Sequence, residues 1–117
     1  MRTSNEKLNP SFKNQINKTL AQALSDLKDI NEAEIFLHDF LTASEFEAFS
    51  KRLAIAYWLK KGRSYANIKQ NLKVSSATVA TVANMMEREG FQLALKKIEA
   101  EEWANVWAEK IKNFVGK

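Results

Sequence analysis

The amino-acid sequence predicts an all-α fold of about six helices built around a helix-turn-helix. Three observations predict it. Three glycines and one proline in 117 residues leave too few turn-formers for the many short strands of an all-β domain. Apolar residues recur at spacings of three and four along nearly the whole chain, the period of a helix face rather than of a strand. Several of these stretches open on a residue that suits an N-cap. No repeat or low-complexity segment interrupts the pattern. With 45% hydrophobic residues a packed core is feasible, and the length suits one helical domain over 1–117.

Pro10 fits a first helical turn, where its missing N–H costs nothing. Phe12, Ile16, Leu20, Ala23, Leu24 and Leu27 then make an i, i+4, i+3 stripe, so a first helix is expected over about 10–29. Asn31 with Glu34 suggests a capping box for a short second helix, about 32–41, with Ile35, Phe36 and Phe40 inward. Thr42 with Glu45 is a second capping box. It opens a long helix, about 43–61, whose stripe is Phe46, Phe49, Leu53, Ala56 and Tyr57. Gly62 stands where a left-handed C-terminal cap belongs, behind Lys60 and Lys61, which suit the negative end of the helix dipole.

Ser64 caps a short fourth helix, about 65–72, that buries Ile68 and Leu72. Lys73-Val74-Ser75 is the turn, with Val74 inward and Ser75 capping the fifth helix. That helix, about 76–89, buries Val79, Val82, Ala83 and Met86, and Gly90 is expected to end it. A last helical region covers about 91–115, with a break near Ala100. Trp103, Trp107, Ile111 and Phe114 form its apolar stripe, which reads as core or dimer interface rather than as a stacking platform.

Composition excludes several classes. There is no cysteine and one histidine, His38, so disulfides, thiolate metal sites and histidine-rich metal sites are ruled out. No apolar run reaches the ~20 residues that span a bilayer, and nothing resembles a signal peptide. The expectation is a cytoplasmic, soluble protein without membrane partners. With no cysteine nucleophile, no glycine-rich phosphate loop and no triad, it is not expected to be an enzyme, and no cofactor is expected.

Charge is segregated along the chain. Between Ala48 and Met86 there are seven basic residues (Lys51, Arg52, Lys60, Lys61, Arg63, Lys69, Lys73) and no acidic one. Residues 1–47 carry five basic and eight acidic side chains, and residues 87–117 carry six of each. The positive field therefore lies over one motif, residues 64–86, as a phosphate-binding surface requires. With Val79, Val82 and Met86 buried, the fifth helix turns Ser76, Ala77, Ala80, Thr81 and Asn84 outward. Small side chains let a helix approach a groove floor, methyls pack on thymine, and hydroxyls bond to base edges. Those five residues are the expected base-reading set for double-stranded DNA. Lys60, Lys61, Arg63, Lys69, Lys73 and Ser75 are the expected phosphate contacts. The reading face has no arginine, lysine or glutamine, so the bidentate arginine–guanine contact is absent from it.

With the motif and its leading helix placed, the chain resembles the Trp repressor superfamily over about residues 35–90. The resemblance rests on Leu41-Thr42 opening a helix, then Glu45, Glu47-Ala48, Arg52, Leu59, Gly62, Ile68, Leu72, Ala77-Thr78-Val79 and Asn84. It implies an intertwined homodimer whose two reading helices enter successive major grooves. The N-terminal helix and the Phe46/Phe49 face would then be dimer interface as much as core. Residues 91–117 would be a C-terminal helical extension. In the tryptophan-responsive member the indole lies between two arginines. Carried over, Thr42 and Arg52 match pocket positions and are the candidate ligand pocket. The second arginine falls on Thr81, the following glycine on Val82, and a serine on Met85, with one residue fewer between Gly62 and Ile68. The resemblance thus implies a fold of this type that does not use L-tryptophan, with another small-molecule effector left open.

A DNA-binding, repressor-like transcriptional regulator is the leading expectation. The alternative is a helical dimerisation or adaptor protein whose motif binds a protein partner. Such a motif has no need of seven cations without a single carboxylate. Arg52 has a plainer alternative as well, a solvated side chain or one paired with Glu45 or Glu47, and Thr42 has one as an N-cap only.

Overall fold

The computed structural model describes residues 6–115, with side chains through residue 102 and at Asn105. The stripe read at Trp103, Trp107, Ile111 and Phe114 lies outside the described side chains. Among the described residues the backbone forms six helices and no strand: α1 (Pro10–Ser25), α2 (Ile30–Phe40), α3 (Ala43–Lys60), α4 (Tyr65–Leu72), α5 (Ser76–Met85) and α6 (Glu89–Val115). The chain divides into two compact units, Met1–Phe46 and Glu47–Lys117.

In the first unit the caps decide the boundaries. Asn9 accepts the Ser11 N–H at 2.8 Å and opens α1. The helix stops at Ser25 rather than near residue 29, because Asp29 is needed in an extended conformation (φ −154°, ψ −179°) to cap α2. Its carboxylate accepts the Glu32 N–H at 2.9 Å, and Glu32 in return accepts the Lys28 N–H at 2.9 Å. The expected Asn31–Glu34 box is therefore replaced by one that starts α2 earlier, with an ionised acceptor in place of an amide. The Thr42–Glu45 box forms as expected. Thr42 N–H donates to Glu45 Oε1 at 2.9 Å, and Glu45 N–H donates to Thr42 Oγ1 at 3.1 Å. These bonds hold the Glu45 carboxyl below its usual range, the Thr42 backbone N–H contributing most.

The apolar stripes of this unit are not buried within the chain. Phe12, Ile16, Leu20 and Leu24 of α1 remain 43–59% exposed, and Ile30, Ile35 and Phe40 of α2 are exposed too. Neither helix contains a buried residue.

The second unit holds the core. Ile55 and Ala56 of α3, Ile68 of α4, Val79 and Val82 of α5 and Leu95 of α6 form one buried cluster. Tyr57, Trp58, Leu59, Leu72, Val74, Met86 and Phe91 pack around it. The face of α3 that meets this cluster centres on Ile55 and Ala56. Phe49 and Leu53, expected in the buried stripe, stay 47% and 39% exposed. Gly62 leaves α3 with φ +86°, the left-handed cap that its position predicts. The break expected near Ala100 is absent, since alanine is the best helix former and nothing there interrupts α6. Gly90, expected to end α5, instead lies in the first turn of α6. Helix α5 ends earlier, at Met85, and Gln92 Nε2 donates to the freed Met86 carbonyl at 2.6 Å.

Ile68→Ala would cost about 2–5 kcal/mol in urea denaturation, because it empties the contact between α4 and the core; a loss far below that range would mean that α4 is held elsewhere. The Glu45 cap contributes stability above the usual carboxylate range, and that stability is lost as pH falls through the depressed folded pKa. The difference in Tm between the parent and Glu45→Ala should therefore shrink steadily on acidification, and a constant difference would refute the assignment.

Candidate nucleic-acid interface

Helices α4 and α5 form the helix-turn-helix, and local chemistry sets each of its corners. Ser64 accepts the Asn67 N–H at 3.1 Å and starts α4. Ser75 accepts the Thr78 N–H at 3.1 Å and starts α5. Between them Lys73 sits in the left-handed region (φ 56°, ψ 52°) and donates its backbone N–H to the Lys69 carbonyl. Among the described residues it is the one non-glycine with positive φ. A side chain there costs roughly 1 kcal/mol. Val74 follows it and packs against the core, as expected of the residue that sets the interhelical angle.

With Val79 and Val82 buried, helical periodicity leaves one free face on α5. Ser76, Ala77, Ala80, Thr81 and Asn84 are all exposed on it. The Thr81 hydroxyl donates to the Ala77 carbonyl at 2.8 Å, so toward an outside partner it acts chiefly as an acceptor and a methyl. Ser75 Oγ lies 2.9 Å from Thr78 Oγ1. The first backbone N–H groups of α5 point out of the helix end, where an anion can take them.

The cations divide into two sets. Lys69 and Lys73 are exposed and form no ion pair among the described residues. The Arg63 guanidinium stacks on the Trp58 ring, 4.0 Å from its centroid, which leaves its N–H edges available. Lys60 and Lys61, expected in the same set, are held differently. Lys60 Nζ lies 3.3 Å from Glu99 Oε1, and Lys61 Nζ lies 3.1 Å from Glu102 Oε2. Counting charge along the sequence placed those carboxylates in another segment; folding brings α6 beside the end of α3. Lys51 is likewise paired, to Glu47 at 2.9 Å.

Thr42 is committed to the start of α3. Arg52 is exposed and forms no ion pair among the described residues of its own unit; its guanidinium lies 5.3 Å from the Phe49 ring centroid. It lines an open cleft of about 460 Å³ with Phe49, Leu53, Arg88, Phe91 and Ala94. Arg88 is a pocket residue that the sequence reading missed, because Arg88 was placed in the last turn of α5. The position of Val82, where the tryptophan-responsive pattern has glycine, is filled by a side chain 3% exposed in the core.

Residues 15–99 match the family described as Trp repressor protein. The chain belongs to the Trp repressor family. The match extends the likeness beyond 35–90 at both ends, into α1 and α6. Among curated relatives, the Uncharacterized protein YerC of Bacillus subtilis (strain 168) is 27% identical over 85 residues, 71% of this chain and 82% of that protein. Among solved structures, a TrpR like protein from Eubacterium eligens ATCC 27750 shares 29% identity with a TM-score of 0.70, over 78% of this chain and 96% of that one. This Trp repressor family member is thus all-α, and none of its described helices is long and apolar enough to cross a membrane.

Lys73→Gly would relieve the left-handed strain and raise stability by about 1 kcal/mol, measurable as a higher urea midpoint at constant slope. A destabilised variant would show that the Lys73 side chain makes a contact worth more than the strain.

Proposed function

We propose that this protein is a DNA-binding transcriptional regulator of the Trp repressor type that occupies a near-palindromic site as a homodimer. One observation carries the reading. The exposed face of α5 presents small and polar side chains beside cations, Lys69 and Lys73, that no described carboxylate neutralises. Ser76, Ala77, Ala80, Thr81 and Asn84 would read base edges in the major groove. Lys69, Lys73, Arg63, Ser75 and the first N–H groups of α5 would hold phosphates and so fix the register. With no arginine or lysine on the reading face, sequence preference would rest on methyl contacts, Asn84 and groove shape.

Dimerisation is supported by the apolar faces of α1 and α2. A stripe of Phe12, Ile16, Leu20 and Leu24 left 43–59% exposed along one face of α1 is the kind of apolar surface that a second copy would cover. A two-fold axis would pair the two reading helices, and successive major grooves would ask for a separation of about one helical turn. Val82 in the core and Thr81 in place of an arginine support independence from L-tryptophan.

The test is fluorescence anisotropy on random and near-palindromic duplexes across a salt series. Lys69→Gln together with Lys73→Gln should flatten the slope of log affinity against log salt by about 1.8, two phosphate contacts' worth. An unchanged slope would remove these lysines from the interface. Absence of salt-dependent binding by the parent protein would turn the motif into a protein-binding element.

A further inference from the structure

The end of α3 and the middle of α6 share a compact polar cluster that the reading surface does not use. Lys60 pairs with Glu99 and Lys61 with Glu102. The Tyr57 hydroxyl donates to the same Glu102 carboxylate, and the Lys61 ammonium lies 5.5 Å from the Tyr57 ring centroid. Glu102 is therefore gripped by two donors, Tyr57 of α3 and Lys61 just after it. The Tyr57 hydroxyl bond, followed by the Lys61 bond, holds its carboxyl below the usual range, and the hydrogen bond to Glu102, helped by its charge, in turn raises Lys61. All four charged side chains of the two ion pairs are 32–45% exposed. Pairs this exposed add little to stability; their consequence is on the charge that a polyanion meets.

We propose that Glu99 and Glu102 are specificity-setting residues that occupy Lys60 and Lys61 in place of DNA phosphates. The inference rests on the DNA-binding function proposed above. A carboxylate oxygen at 3.1–3.3 Å from an ammonium makes the contact that a phosphate oxygen would make. A lysine so engaged releases no counterion when DNA arrives, so it drops out of the electrostatic sum that supplies non-specific affinity. Lys60 and Lys61 precede the helix-turn-helix. Left bare, they would favour any pose that brings phosphates to the end of α3, whether or not α5 is seated in the groove. Neutralising them concentrates the attraction on Lys69 and Lys73, which belong to the helix-turn-helix itself, and on Arg63 just ahead of it. The acidic residues of α6 thus trade raw affinity for a single docking pose.

The experiment compares the full-length parent, Glu99→Gln with Glu102→Gln, and a quadruple variant that adds Lys60→Gln and Lys61→Gln. Each is titrated onto random and near-palindromic duplexes across a salt series, with circular dichroism melts alongside. The double variant should gain roughly tenfold on random DNA near 0.1 M salt, with a slope steeper by about 1–2, and should lose discrimination. The quadruple variant should return to the parent's random-DNA affinity. Glu99→Gln alone leaves the Tyr57–Glu102–Lys61 contacts in place and should give about half of the slope change, so the idea stays testable if the double variant unfolds. A folded double variant with the parent's affinity and slope would overturn the proposal while leaving DNA binding intact. A gain that persists in the quadruple variant would overturn it too, since the effect would then be one of overall charge. Absence of binding by every variant would overturn the DNA-binding function itself.

Discussion

Burial of Ile55, Ile68, Val79, Val82 and Leu95 in one cluster is the constraint from which the rest of the second unit follows. A ten-residue α5 and an eight-residue α4 are too short to hold their shape alone in water. Each persists because it contributes one or two side chains to a core that α3 and α6 complete. Once Val79 and Val82 face inward, the 3.6-residue period leaves Ser76, Ala77, Ala80, Thr81 and Asn84 outward. The chemistry of the exposed face of α5 is thus a by-product of where the core is.

Two serine caps and one strained lysine finish the geometry. Ser64 and Ser75 fix where α4 and α5 begin, and Lys73 turns the chain between them in a conformation that glycine would adopt more cheaply. Strain kept at a turn is informative when the residue that bears it has another use. Here the strained residue is also an exposed cation just ahead of α5.

Electrostatics acts at two levels. Along the chain, positive charge gathers over one motif. In space, α6 returns two carboxylates to the end of α3 and removes two of those cations from circulation. The cleft lined by Arg52 and Arg88 and the open apolar stripes of α1 and α2 belong to a different part of the energetics, that of apolar surface the described fold leaves in water. In the proposed dimer, apolar area left in water at Phe12, Ile16, Phe40 and Phe49 would be a driving force for association.

Much was legible from residue order alone. The all-α class, the limits of α4, the Thr42–Glu45 and Ser75 caps and the left-handed Gly62 all follow from local propensity and periodicity, which act over three or four residues. The family was visible for the same reason, since its motif is a run of such local choices. Tertiary structure decided what depends on distant neighbours. It moved the burial on α3 from Phe49 and Leu53 to Ile55, because the partners of a face are not written in its own period. It ended α5 at Met85 through Gln92, made Gly90 part of a helix, and set Arg88 beside Arg52. It also paired Lys60 and Lys61 with Glu99 and Glu102 across about forty residues of chain, since a Coulomb interaction depends on separation in space and not along the sequence.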